Sequence, residues 1–224
     1  EFRRVLFRSY EPILNNSTKL LIVGTLPPPR FCQKEFKPKD VDFCYGSQDN
    51  LFWQILNNIF NLDLTFYNSI EAINERKTFL INNKIGICDI VESCYRNRFD
   101  ASDLTMENII LRDILKYLKD YKNIETIIFT GGNSKNSSEY FFKRVLKKNN
   151  IKIELINKNL PKKHRFILDN RIITTISLTS PSNAANKSIG ANIYYKQKKE
   201  ENPKYTTFDF RIEQYKKVFL TQEF

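Results

Sequence analysis

The sequence predicts an α/β protein, a three-layer α/β/α sandwich with a central mainly parallel sheet of about four strands. Short apolar runs rich in β-branched residues recur along the chain. They lack polar alternation, as strands covered on both faces do. Stretches with helical spacing separate them, as right-handed crossovers between parallel strands require.

The first run is residues 19–24, Lys-Leu-Leu-Ile-Val-Gly, and the others are 85–90, 124–129 and 171–177. Helical spacing predicts helices over 51–60, 70–81, 106–118 and 138–148. A further strand pair is expected at 151–156 and 165–168, in a basic, less regular stretch. A last amphipathic helix follows Pro203, with Phe208, Ile212, Tyr215 and Phe219 on one stripe, the pattern of core packing. The polar stretch 196–203 reads as an exposed loop.

Residues 1–9 resemble the in-frame translation of a sequencing-library adapter and are set aside from the fold argument. Residues 10–224 are expected to form one domain, since 224 residues with 41% hydrophobic content can bury one sizeable core. The formal charge of +11 favours a polyanionic partner, nucleic acid first and an acidic membrane surface second. Residues 143–165 carry nine Lys or Arg and one acid, Glu154. They read equally as a DNA-flanking field or as a solvated face. Cys32, Cys44, Cys88 and Cys94 form no CxxC pair, which argues against zinc or redox motifs and suits reduced thiols in a cytoplasmic monomer. No metal site and no membrane-spanning helix is expected.

In open parallel sheets ligands bind outside the carboxyl ends of the strands. There the sequence is distinctive. Gly24-Thr25-Leu26-Pro27 follows the first strand and leads to residues 42–53, Asp-Phe-Cys-Tyr-Gly-Ser-Gln-Asp-Asn-Leu-Phe-Trp. This mixture of rings, amides and carboxylates suits a pocket that grips a planar heterocycle and places a water. The bland alternative is a helix cap at Asp49 or Asn50 with Phe52 and Trp53 as core. After the last central strand comes Ser180-Pro181-Ser182-Asn183, with Asn186 and Lys187 beyond. These donors on a stiffened turn can bind phosphate or press on a duplex, or simply form a turn and cap.

Together these motifs resemble the uracil-DNA glycosylase superfamily, in particular its mismatch-specific and hypoxanthine-type branch. Gly24-Thr-Leu-Pro27 is similar to its Gly-Ser/Thr-x-Pro, and Tyr45-Gly-Ser-Gln-Asp-Asn-Leu-Phe-Trp53 to its Tyr-x-His-Pro-x-Asn-x-Phe-Trp block. Residues 180–186 look like its Pro-Ser loop, and residues 86–94 and 127–133 like its middle strand ends. Ser47 and Gln48 replace the His-Pro. The strand-one loop lacks the Asp of the familiar uracil enzymes, and Thr179 stands where their second motif has His. The single histidine, His164, lies outside both motifs and is read as a surface or phosphate-contact residue without catalytic role.

The resemblance implies a monofunctional DNA glycosylase that needs no cofactor and acts on single- or double-stranded DNA carrying a deaminated or mispaired base. It implies that Asn50 positions the water, with Asp49 the competing candidate, and that Tyr45 or Phe43 stacks on the base. The loop Gly24, Thr25, Leu26 and Pro27 would line the pocket. Ser180, Pro181, Ser182, Asn183, Asn186 and Lys187 would contact DNA. The rivals are an inactive DNA-binding module of the same fold and a nucleotide-binding protein with phosphate at residues 130–134. The latter lacks the spacings of the known phosphate loops.

Overall fold

The computed structural model describes residues 5–96, 103–132 and 134–220. The elements run β1 (Val5–Arg8), β2 (Leu20–Gly24), α1 (Pro29–Cys32), α2 (Phe52–Ile59), α3 (Ile70–Asn82), β3 (Ile85–Asp89), β4 (Val91–Arg96), β5 (Met106–Leu111), α4 (Ile114–Asp120), β6 (Thr126–Thr130), α5 (Ser138–Lys148), β7 (Ile153–Asn157), β8 (Lys162–Leu168), β9 (Arg171–Leu178), α6 (Asn186–Gly190), α7 (Ile193–Glu201) and α8 (Thr207–Phe219).

The main sheet has strand order β3-β2-β6-β9-β8-β7. Its first four strands are mutually parallel and are the four apolar runs. The expectation of about four strands falls short, because the basic pair β7 and β8 adds an antiparallel hairpin to the β9 edge. Every residue of β2 and β3 is buried, which accounts for their unbroken hydrophobicity. Leu21 and Val23 pack with Phe141, Phe142 and Leu146 of α5 and Leu115 and Leu118 of α4. Leu20 and Ile22 pack on the other side with Phe52, Trp53, Leu56, Leu80, Tyr215 and Phe219. Successive strand residues thus serve opposite faces, and helices cover both.

Helix starts follow local chemistry. Ser69 Oγ accepts from Ala72 N and Ser137 Oγ from Tyr140 N, and Thr206 with Asp209 forms a capping box on α8. Two expectations are corrected. Residues 106–118 are not one helix: Met106–Leu111 is a strand paired with β4, and the helix starts only after Asp113, whose carboxylate accepts from Lys116 N at 2.9 Å. Apolar residues at 106, 109–111, 114–115 and 117–118 have helical spacing, and pairing with β4 overrode it over the first six residues. The stretch 196–203 is exposed, but mostly as α7, because Asn192 caps a run of good helix formers.

A second sheet, order β1-β4-β5, is antiparallel among the described residues. Its first strand comes from the segment set aside above, and Phe7 is buried in the core of the α4–α5 side.

Candidate functional site at the strand-order reversal

From β2 the chain first adds β3 on one side and later β6 and β9 on the other. The order therefore reverses between β2 and β6, and the crevice at such a reversal is where open α/β sheets hold ligands. Gly24 ends β2 and Thr130 ends β6 at this point, with Asp89 opposite Gly24 at the end of β3.

Tyr45 reaches into the crevice. Its backbone is left-handed at φ 58° and the next residue is Gly46, where a Cβ would lie 1.9 Å from the Val41 carbonyl oxygen. This tight turn stacks the Tyr45 ring on Phe52, centroids 4.4 Å apart at 30°, and places its hydroxyl 2.5 Å from Thr130 Oγ1. At Gly24 a Cβ would stand 2.4 Å from Asp89 Oδ1 and 2.6 Å from the Tyr45 hydroxyl. Glycine here makes room for both groups. Burial, followed by the nearby Asp89 charge, pushes the Tyr45 phenol well above its ordinary pKa, so it stays neutral.

Behind Tyr45 the loop is organised by Asp40, which is fully buried. It accepts two bonds from Arg30, at 2.9 and 3.0 Å, and one each from Lys37 N and Gln48 N. Burial alone would raise its pKa, but the Arg30 guanidinium and the backbone donors hold it below the ordinary value. Arg30 also donates to Ser47 Oγ at 2.6 Å.

The two expected water-positioning candidates part company. Asp49 is half exposed and pairs with Lys37 at 2.7 Å and Arg30 at 3.2 Å. Asn50 is partly buried and, with Tyr45, lines a hollow of about 370 Å³. Asn50 Oδ1 accepts from Phe52 N at 2.9 Å, in the turn that leads into α2. The cap alternative holds only in part: the N-cap position of α2 is Leu51, with no side-chain cap bond, while Phe52 and Trp53 are core. A carbonyl oxygen keeps a second lone pair, and the amide NH₂ has no other partner among the described residues.

Phe43 does not join the hollow: it is buried, 5.8 Å from the Trp53 ring centroid. Thr25 continues the pairing of β2, its carbonyl accepting from Val91 N, and Leu26 packs on the core. Pro27 lines a separate hollow of about 270 Å³ with Tyr10 and Phe31. Of the six expected base-binding residues, Gly24 and Tyr45 thus meet in the crevice, while Thr25, Leu26, Pro27 and Phe43 are engaged elsewhere.

The second motif is joined directly to the first. Leu51 N donates to the Pro181 carbonyl at 2.9 Å, and Asn50 and Ser182 form an isolated antiparallel bridge. Helix α8 fixes the loop from below. Buried Arg211 donates to the carbonyls of Ser180 (2.9 Å) and Ser182 (2.8 Å) and to Asn186 Oδ1 (3.0 Å). Gln214 accepts from Thr179 N, and the Tyr215 hydroxyl donates to the Thr179 carbonyl. Ser180 Oγ and Ser182 Oγ accept from Ser182 N and Ala184 N. Asn183 and Lys187 are exposed at the tip, whereas Pro181 is buried.

His164 is not a surface residue. It is buried on β8, its Nε2 3.2 Å from Lys143 Nζ and its Nδ1 3.9 Å from the buried carboxylate of Glu139. Burial and the Lys143 charge lower its pKa. Lys143 and Lys162 pair with Glu139, and Arg165 pairs with Glu154, so part of the basic stretch is neutralised internally. The rival's phosphate loop includes Asn133, which lies outside the described residues, and a Cβ added at Gly131 or Gly132 would meet nothing within 4 Å. None of the four cysteines forms a disulfide among the described residues. Among the described residues no cluster of His, Cys, Asp and Glu is placed to hold a metal, and no helix is long and apolar enough to cross a membrane.

Sequence reasoning missed Asp89, Asp40, Arg30, Arg76 and Arg211. Arg76 and Arg211 carried a signal, a charge on the apolar stripe of an amphipathic helix: Arg76 falls with Ala72, Phe79 and Leu80, and Arg211 with Tyr215 and Val218. A charge in that position is buried and must be met by partners.

These features define a mixed α/β chain with helices on both faces of a mostly parallel sheet and a two-loop site at its carboxyl edge. No family profile and no curated protein matches the chain in sequence. Its fold is similar to the solution NMR structure of a candidate uracil DNA glycosylase from Methanosarcina acetivorans, with a TM-score of 0.53 at 18% identity, over 93% of this chain and 99% of the other.

Proposed function

We propose that the chain is a monofunctional DNA glycosylase that hydrolyses the N-glycosidic bond of a deaminated or mispaired base, uracil or hypoxanthine. The observation that carries this reading is the junction of the loop bearing Asn50 with the loop bearing Ser182, at the strand-order reversal of the sheet. The likeness in fold to the archaeal structure supports it.

Hydrolysis builds positive charge on the sugar and negative charge on the departing base, so the site needs an extrahelical base, an oriented water and donors toward the base. Asn50 supplies an amide for the water, held by its bond to Phe52 N. Tyr45, neutral and anchored on Thr130, presents an aromatic edge to the base. Asn183 and Lys187, at the exposed tip of the second loop, face the DNA, and the positive net charge adds salt-sensitive affinity. The partner is damaged DNA, single- or double-stranded, met by a cytoplasmic monomer.

The test is incubation with duplexes carrying uracil, hypoxanthine, xanthine or a thymine mispair, followed by alkaline cleavage at abasic sites. Strand breaks at one of these positions are expected. If none is cut, the enzymatic reading fails. A second reading, a DNA-binding module of the same fold without activity, is favoured by one observation: Asn50 Oδ1 already accepts from Phe52 N. Tight DNA binding without abasic product would select it.

A further inference from the structure

We infer that the hollow beside Asn50 is a binding site for a planar nucleobase, with Arg76 on α3 as the group that grips its acceptor edge. The choice of ligand rests on the glycosylase reading; the site itself rests on the following geometry.

The hollow, at about 370 Å³, is of the size that small planar ligands occupy. Arg76 lines it and is only 1% exposed. Its guanidinium carbon lies 5.3 Å from the ring centroids of both Trp53 and Phe66, so aromatic surface attracts the cation without accepting a hydrogen bond from it in the plane. Nη1 donates to the Ala72 carbonyl at 2.7 Å, while Nε has no partner. The nearest carboxylate, Glu75, stands 4.0 Å away and is itself occupied by Thr65 N at 2.7 Å and Thr65 Oγ1 at 2.9 Å. Burial pulls the guanidinium pKa down to about 10, which leaves it charged at neutral pH.

A buried guanidinium with unused donors is costly unless something meets it. The walls say what that something is. Trp53 and Phe66 offer ring surface, and Gln48, Gln54 and Asn50 offer amides that both donate and accept. An inorganic anion would satisfy Arg76 but waste the rings. A planar heterocycle with adjacent carbonyl and ring-nitrogen atoms uses all three features. Arg76 therefore reads the base beside Asn50, before or after its release.

Trp53 is the single tryptophan of the chain and lines the hollow, so its emission reports occupancy without DNA or turnover. The full chain is titrated with uracil, with xanthine and with inorganic phosphate, and base binding is checked by equilibrium dialysis. Saturable binding of a base is expected, weakened at least about tenfold by Arg76→Met and partly restored by Arg76→Lys, which returns charge without the fork. Should Arg76→Met lose its circular dichroism spectrum, Gln54→Leu, at a partly exposed position, takes its place with weakened binding again expected. No base binding, base binding indifferent to these substitutions, or binding of phosphate in place of a base overturns the inference. Abasic product without base binding leaves the glycosylase reading standing, and base binding without abasic product does the reverse.

Discussion

The backbone N–H of Leu51 donates to the carbonyl of Pro181 at 2.9 Å, tying two loops that are 130 residues apart in the chain. Asn50 and Ser182 meet across this bond. The water-positioning candidate and the DNA-facing candidate are thereby held as one unit at the carboxyl edge of the sheet.

The first prediction separates the adjacent candidates. Asn50→Ala is expected to lower single-turnover base release about a hundredfold, with DNA affinity little changed. Asp49→Ala is expected to change the rate by less than about fivefold, because its carboxylate is taken up by Lys37 and Arg30. A large loss from Asp49→Ala with none from Asn50→Ala would reverse the assignment.

Arg211 is expected to be a positioning residue for the second loop. Arg211→Met leaves the Ser180 carbonyl without its donor and the Ser182 carbonyl with Ala185 N alone, at a cost of about 2–4 kcal/mol in a denaturant titration. The variant should also bind DNA more weakly while cleaving bound DNA at a rate closer to wild type. Stability unchanged within error would show that the loop holds itself.

Gly24 is a steric test of the crevice. A Cβ there collides with Asp89 and the Tyr45 hydroxyl, so Gly24→Ala should destabilise by about 1–3 kcal/mol and abolish base release. Adding Tyr45→Phe removes one of the two colliding oxygens and should recover part of the loss. Strict additivity of the two substitutions in a double-mutant cycle would argue against the contact.

The cluster around Glu139 sets an acid limit. The folded-state pKa of His164 lies below its unfolded value of 6.5, so the unfolded chain binds the extra proton and stability falls as pH drops through that value. Glu139, lowered from 4.5 by Lys143 against the cost of its burial, adds stability that is present above 4.5 and lost as pH falls through its folded pKa. Thermal unfolding should therefore show a midpoint that declines from about pH 6.5 downward. His164→Gln should flatten the upper part of that decline and leave the lower part.

The parallel strands were legible because each is covered on both faces, and a run such as Leu20-Leu-Ile-Val23 has no other use for four consecutive apolar residues. Helices α2, α3, α5 and α8 were legible from their periodicity, and the structure adds the caps Ser69, Ser137 and Thr206 on the last three. Residues 106–111 were not, since their apolar spacing is helical and only the partner β4 settles the conformation. Of the site, the loops and their location at the strand ends could be read, because strand order places carboxyl ends together wherever the loops go.

The sequence by itself determined most of the alternation of elements and the two loops that carry the candidate side chains, which depend on residues near one another in the chain, and the positive net charge, which is a sum over all of them. Only the tertiary structure decided that Asn50 lines the hollow while Asp49 turns to Lys37 and Arg30, that Phe43 is core, that His164 is buried, and that Arg76 and Arg211 lie inside. Adjacent residues share a sequence context but differ in the direction of their side chains, and that direction is set by partners from distant segments.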